Sequence, residues 1–182
     1  MGEIRIPIPV KLFVGMLSPE PALFDACAEL LGTQYGSVDF KSGILAWDRT
    51  DYYKEEMGTG IKRMFIFFQD LADPGILSSV KHFTNSIEQR FLAQNSDHPR
   101  RRINLDPGYV TEAKVVLATT KDFSHRVYIG GNMYAEVTLR YDSKERSFAP
   151  LEHTYYDYRT EEYLTIFNNA RELLRNGLRR TG

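Results

Sequence analysis

Nine residues, Ile61-Lys-Arg-Met-Phe-Ile-Phe-Phe-Gln69, constrain the fold more than any other part of the chain. Read as a strand, they place Met64, Ile66 and Phe68 on one face and Phe65 and Phe67 on the other. A strand that is apolar on both faces belongs inside a sheet rather than at its wet surface. Residues 9–17 repeat the pattern. Val10, Leu12, Val14 and Met16 alternate with Lys11, Phe13, Gly15 and Leu17, and both sets are mostly apolar, which predicts a central strand. The run Met64–Phe68 is the most apolar in the chain and far too short to span a bilayer.

Helical signals separate these strands. Ser18-Pro19 suits a helix start, with Ser as cap and Pro in the first turn. Leu23, Phe24, Cys27, Leu30 and Leu31 then share a face, and Gly32 is the expected stop. Asp73-Pro74 opens a second helix with Ile76, Val80, Phe83, Ile87 and Phe91 as its stripe. Residues 37–47 read as extended with a turn near Lys41-Ser42-Gly43. The polar stretch Gln94–Arg102 reads as a loop, with another extended segment from Ile103. Strand, helix, strand, strand, helix, strand is the order of a ferredoxin-like βαββαβ core, here over residues 9–119. Residues 112–119 fit either a strand or a buried helix.

The region 124–178 adds a hairpin and a C-terminal helix. Val127 and Ile129 alternate with Arg126 and Tyr128, and Ala135, Val137 and Leu139 alternate with Tyr134, Glu136, Thr138 and Arg140. A three-residue loop, Gly130-Gly131-Asn132, sets Val127 opposite Ala135 and Arg126 opposite Glu136. A two-residue loop would mix the faces. A helix from about Thr160 has Glu161 and Glu162 in its first turn, arginines in its last, and Tyr163, Phe167, Ala170, Leu173 and Leu174 inward. The expected fold is one α+β domain over residues 1–182, with a mainly antiparallel sheet and two or three helices on one face.

Composition narrows the function class. In 182 residues, 42% are apolar and 26% charged, the balance of an ordinary globular protein. The lone cysteine, Cys27, allows no intramolecular disulfide or Cys-rich metal site and reads as a small core residue. A net charge of −1 argues against nucleic acid and against an anionic membrane surface. No basic, apolar leader opens the chain, so a cytoplasmic protein is the expectation. The balance is uneven. Residues 1–91 carry 9 basic and 12 acidic side chains, and residues 92–182 carry 14 and 12.

Familiar catalytic motifs are missing. There is no Gly-x-x-x-x-Gly-Lys-Ser/Thr phosphate loop, Gly-x-Gly-x-x-Gly, His-Glu-x-x-His or Gly-x-Ser-x-Gly. His82, His98, His125 and His153 have no ligand spacing among themselves, so no metal is assigned, and the cofactor is left unknown. Candidate residues concentrate instead between 104 and 159. Asn104-Leu-Asp-Pro-Gly-Tyr109 reads as a sharp turn whose Asn104 and Asp106 either bond local backbone or project into a pocket. Thr119-Thr-Lys-Asp122 offers hydroxyls, an ammonium and a carboxylate. Arg126 and Glu136 form either a cross-strand ion pair or part of a polar sheet face.

Two functions fit. The first is a pocket for a small anionic ligand, with Asn104, Lys121, Asp122, Arg126 and Arg159 binding. In an enzymatic version, of hydrolase or transferase type, Asp106 or Glu136 is the base and His125 the acid or base. The second is a non-catalytic regulatory or interaction module, with another copy of the chain among its partners.

Several runs carry a family resemblance: Asn-Leu-Asp-Pro-Gly-Tyr (104–109), Leu-Ala-Thr-Thr-Lys-Asp (117–122), His-Arg-Val-Tyr (125–128), Tyr-Ala-Glu-Val-Thr-Leu (134–139), Thr-Tyr-Tyr-Asp-Tyr-Arg (154–159) and the opening Pro-Val-Lys-Leu-Phe-Val-Gly-Met (9–16). They resemble the bacterial domain-of-unknown-function family 4416 over nearly the whole chain. The resemblance implies a small cytoplasmic bacterial protein and no particular activity. Some members are labelled GTP-binding protein or regulator. This chain lacks the phosphate loop, and Thr120-Lys121-Asp122 lacks the residue that guanine recognition by Asn/Thr-Lys-x-Asp places between Lys and Asp.

Overall fold

The doubly apolar strand forms as β4 (Lys62–Ala72) and pairs antiparallel with β1 (Val10–Ser18), the other such strand. The computed structural model describes residues 2–47, 54–92 and 100–181. Helix α1 (Ala22–Tyr35) follows β1. Next come β2 (Val38–Lys41), β3 (Leu45–Ala46) and a single helical turn, α2 (Lys54–Met57). After β4 a 3-10 turn leads into α3 (Leu77–Arg90), and then come β5 (Asn104–Val110) and β6 (Lys114–Thr119). The chain ends with β7 (Val127–Tyr128), β8 (Tyr134–Asp142), β9 (Ser147–Pro150) and α4 (Glu161–Thr181).

Among the described residues the strands make one nine-stranded sheet in the order β2-β4-β1-β5-β6-β8-β7, with β3 on β4 and β9 on β8. Every pairing is antiparallel. In the stretch β2-β4-β1-β5, β4 lies between the helix-linked strands β1 and β2, and β1 between the helix-linked strands β4 and β5. That is the split βαβ order expected from the element sequence. The segment 112–119, which by sequence fits either strand or helix, is the strand β6 from Lys114 on, with residues 112 and 113 in the bend before it. The hairpin takes the three-residue register, with Val127 opposite Ala135 and Tyr128 opposite Tyr134. Gly130, Gly131 and Asn132 all take positive φ, at 87°, 58° and 59°, which glycine and asparagine tolerate best.

Three expectations need correction. The helices do not share a face. α1 and α3 cover Leu12, Val14, Met16, Met64, Ile66 and Phe68, whereas α4 covers Phe13, Phe65 and Phe67 with Tyr163, Phe167 and Ala170. The two apolar faces of β1 and β4 require this, because a single helical layer would leave the phenylalanine face in water. Phe167 meets Phe13 and Phe65 edge-on at centroid distances of 5.0 and 5.3 Å. Helix α1 begins at Ala22 rather than at Ser18, runs through Gly32, and stops at Gly36 with φ 87°. The Ser18 hydroxyl instead accepts from the Glu20 amide at 2.9 Å and donates to the Arg102 carbonyl at 2.7 Å. Finally, 104–109 is not a turn but the strand β5. Gly108 serves close approach rather than positive φ, since a Cβ there would lie 2.3 Å from the Val116 carbonyl oxygen. Of the loop expected over Gln94–Arg102, residues 94–99 lie outside the described residues.

The core predicts an alkaline transition. Burial, with a smaller push from Glu88, moves the Cys27 thiol up to about 12 from a reference of 9.0. Burial also moves the Tyr163 phenol up to about 12 from 10.0, against the pull of Arg63. Both groups hold their protons longer folded than unfolded, so their stabilisation is complete below about pH 9 and is lost progressively toward pH 12. The combined loss is about 7 kcal/mol by pH 12, of which about 4 kcal/mol falls before pH 11. Urea unfolding at pH 8 and pH 11 measures it, and Cys27→Ala is expected to flatten the slope. An unchanged slope in that variant would remove Cys27 from this account.

Candidate functional site

The sheet divides between β5 and β6. Their ladder runs only from Val110↔Val115 to Gly108↔Leu117. From Pro107 back to Asn104, β5 pairs with β1 alone, while Ala118 and Thr119 of β6 pair with β8. Proline cannot donate to a ladder, and Pro107 stands where β5 loses β6. A cavity of about 800 Å³ occupies the gap, with Asn104 and Asp106 on one rim and Leu117–Lys121 on the other. Helix α3 and the segment Tyr155–Tyr158 close it.

One wall is a buried ion network centred on Arg63, which is 3% exposed. Its guanidinium donates to Asp106 Oδ2 at 3.3 Å and to Asp157 Oδ2 at 3.2 Å. Asp157 also accepts from Trp47 Nε1 at 3.2 Å. Asp106 accepts from Asn104 Nδ2 at 2.6 Å, and Lys81 Nζ lies 3.9 Å from its other oxygen. The Asn104 side-chain oxygen, Oδ1, accepts from Arg101, which also pairs with Glu88 at 2.6 Å. Glu88 in turn accepts from the Leu105 amide at 2.7 Å. Burial pushes the Glu88 carboxyl above its usual value, against the pull of Lys81 and Arg101. Gly15 makes room for this network, since a Cβ there would lie 2.9 Å from an Arg63 terminal nitrogen.

The opposite wall is organised by Glu136, whose side chain is 1% exposed. Its Oε2 accepts from Arg126 Nε at 2.8 Å and lies 3.1 Å from His125 Nε2. Arg126 also donates to the Lys121 carbonyl at 3.0 Å and to the Tyr155 hydroxyl at 2.6 Å. These bonds tie the loop after β6 to the segment before α4.

The fold thus brings Asn104, Asp106, Lys121, Arg126 and Glu136 around one cavity. Lys121 is exposed at its rim. His125 stands behind Glu136, stacked on His153 at 4.2 Å, and is not part of the lining. Asp122 is exposed and outside it. Arg159 donates to the carbonyls of Thr154 at 2.8 Å and Glu152 at 2.7 Å, which shapes the loop rather than the cavity. Sequence reasoning missed Arg63, Lys81, Glu88, Arg101, Asp157 and Trp47. A signal existed for two of them. Arg63 has the strand parity of Phe65 and Phe67, and Lys81 falls four residues after Leu77 on the inner stripe of α3. A charge at a core-facing position calls for a buried partner.

Among the described residues, no three or more His, Cys, Asp or Glu side chains are placed to hold a metal ion, and no helix is long and apolar enough to cross a membrane. Fold and site together define an α+β protein whose antiparallel sheet opens on a charge-lined cleft. Residues 8–174 match the family described as domain of unknown function DUF4416, and the chain belongs to that family. No curated protein and no solved structure matches the chain.

Proposed function

We propose that the cleft between β5 and β6 binds a small anionic molecule and does not catalyse a reaction on it. One observation carries this reading: a buried network of charged side chains lines a cavity of ligand size. Arg63, Lys81, Arg101, Lys121 and Arg126 meet Glu56, Glu88, Asp106, Glu136 and Asp157 there. Buried ion pairs often stabilise no better than apolar residues of the same volume, so their concentration at one concavity favours a binding role. Asp106 and Glu136 already accept hydrogen bonds from cations of the protein. They serve as anchors, Glu136 for Arg126 and His125, Asp106 for Arg63. Lys121, exposed at the rim with Thr119 and Thr120, receives the ligand's charge.

Thermal-shift and calorimetric titrations with inorganic phosphate, sugar phosphates, nucleotides and small carboxylates test the reading. An anionic probe at millimolar concentration should raise the Tm by mass action. Lys121→Ala should weaken its binding about tenfold, the loss of one charge-assisted contact. If no anionic probe shifts the Tm and the protein self-associates with concentration, the interaction module is favoured instead. Phe123, Val127 and Tyr128, exposed on and beside the edge strand β7, supply its apolar surface.

A further inference from the structure

Residues 2–9, Gly-Glu-Ile-Arg-Ile-Pro-Ile-Pro, are all exposed. Ile4, Ile6 and Ile8 are 104%, 93% and 70% exposed, and alternate residues of an extended chain share a face. Glu3 and Arg5 take the other face, with an Arg5 terminal nitrogen 3.8 Å from Glu3 Oε2. Three isoleucines in one row in water mark an interaction surface rather than scattered apolar residues. Among the described residues, neither neighbour of β1 extends to pair with this arm. β4 ends at Ala72, opposite Val10, and β5 ends at Val110, opposite Lys11. The arm therefore leaves the sheet where both neighbours have stopped. That end of β1 is the one away from the cleft, since Asp106 and Asn104 pair with Gly15 and Leu17.

Two prolines decide how the arm can pair. In a β-strand, alternate residues direct their N–H and C=O to the same edge. Ile4, Ile6 and Ile8 therefore offer three donors and three acceptors along one edge. Pro7 and Pro9 fall on the other edge, where they have no N–H to give. The residue before a proline is driven to extended conformations, so Ile6 and Ile8 are already set for a strand, which lowers the cost of ordering them. The competent edge is complementary to itself. In antiparallel pairing about Ile6, Ile6 meets Ile6, and Ile4 meets Ile8 in both directions. Every amide on that edge then finds a carbonyl, both prolines stay outside, and the isoleucines of the two arms form cross-strand pairs on one face. Registers shifted by two residues set an isoleucine opposite Gly2, or opposite Val10, which already pairs with Ala72. Glu3 and Arg5 cancel within each arm, so no net charge opposes the approach.

We infer that the arms of two copies of this chain pair antiparallel about Ile6 across a two-fold axis, giving an isologous dimer. Three isoleucines from each arm, at about 100 Å² apiece, together with the paired backbones bring the buried area to about 1,000 Å². That is the lower limit of a specific contact and the range of a weak dimer that forms and parts with concentration. The proline edge stops growth at two chains, where an open edge would recruit more. The contact is independent of the cleft and of what the cleft binds.

Sedimentation velocity on the full chain from about 10 to about 1,000 μM tests the inference, a range that brackets a weak dimer. The unmodified protein should pass from monomer to dimer across it. Ile6→Pro removes the amide at the axis and should raise the dimer Kd at least about tenfold, although the side chain stays apolar. Pro7→Ala, on the outer edge, should leave the Kd unchanged. Both positions lie outside the core, so melting at about 10 μM, where the chain is monomeric, should match the unmodified protein. Cross-linking reads the register. Cys27 is buried, and Ile6→Cys should form an intermolecular disulfide faster than Ile4→Cys, because only position 6 meets its own copy. A protein that stays monomeric throughout, a dimer that survives Ile6→Pro, or a dimer lost in Pro7→Ala would each overturn the inference. So would equal cross-linking at positions 4 and 6. A variant that melts lower would show the arm packing on its own chain and overturn it as well.

Discussion

Arg63→Met is expected to destabilise the protein by about 3–5 kcal/mol, the cost of breaking a buried ion pair. The side chain of Arg63 is 4% exposed and holds two carboxylates, Asp106 and Asp157. Methionine fills much of the same volume but leaves both acids next to a low-dielectric wall with one cation fewer. Asp106 keeps Asn104 and the longer Lys81 contact, and Asp157 keeps Trp47 and the Tyr158 amide, so the loss falls short of stranding two bare charges. Urea unfolding should show a lower midpoint with an unchanged m-value. The double variant Arg63→Met with Asp157→Asn should lose less than the sum of its single variants, because the second change removes a charge the first left uncompensated. A midpoint within experimental error of the unmodified protein would show that the network is held together by other contacts. Arg63→Lys should not rescue, since an ammonium cannot reproduce the fork that spans two carboxylates.

Gly108→Ala comes next, at roughly 3 kcal/mol, the upper end of overpacking costs. The added methyl would sit 2.3 Å from the Val116 carbonyl oxygen and 2.6 Å from the ring of Phe13. Neither neighbour can yield cheaply. Val116 belongs to the β5–β6 ladder, and Phe13 lies in the aromatic layer under α4. The backbone must therefore give way where β5 and β6 part. Amide hydrogen exchange should speed up first at Gly108, Val110, Val115 and Leu117, before the β1–β4 pairing is affected. A fully retained exchange pattern in this variant would show that β5 and β6 absorb the methyl without parting.

Much of this architecture is legible in local pattern. The alternation in β1 and β4, the stripes of α1, α3 and α4, and the face segregation that sets the hairpin register all depend on neighbours a few residues apart. So does the Arg126–Glu136 pair, which follows directly from that register and sits at 2.8 Å. The cleft was legible only in part. Asn104, Asp106, Lys121, Arg126 and Glu136 drew attention through polar density, yet their chief partners lie far along the chain. Arg63 is 43 residues from Asp106 and 94 from Asp157, and no periodic pattern records such a pairing. The turn reading of 104–109 failed for a related reason. Pro-Gly in isolation favours a reversal, but here Gly108 is chosen by the carbonyl and ring pressed against its α-carbon. The strand β9 escaped notice because its four residues, Ser147–Pro150, are too short to show a period.

By itself the sequence determined that two strands must be buried on both faces, that helices alternate with them in a split βαβ order, and that a hairpin of defined register follows. These are consequences of where apolar side chains fall on a period of 2.0 or 3.6 residues. Only the tertiary structure decided that α4 takes the face opposite α1 and α3, that the ladder between β5 and β6 stops at Gly108, and that Arg63 reaches over β1 to Asp106 and Asp157. The reason is physical. Periodicity encodes which side of an element faces the core, while a cleft and its ion pairs depend on which distant elements meet there and how closely their backbones can approach.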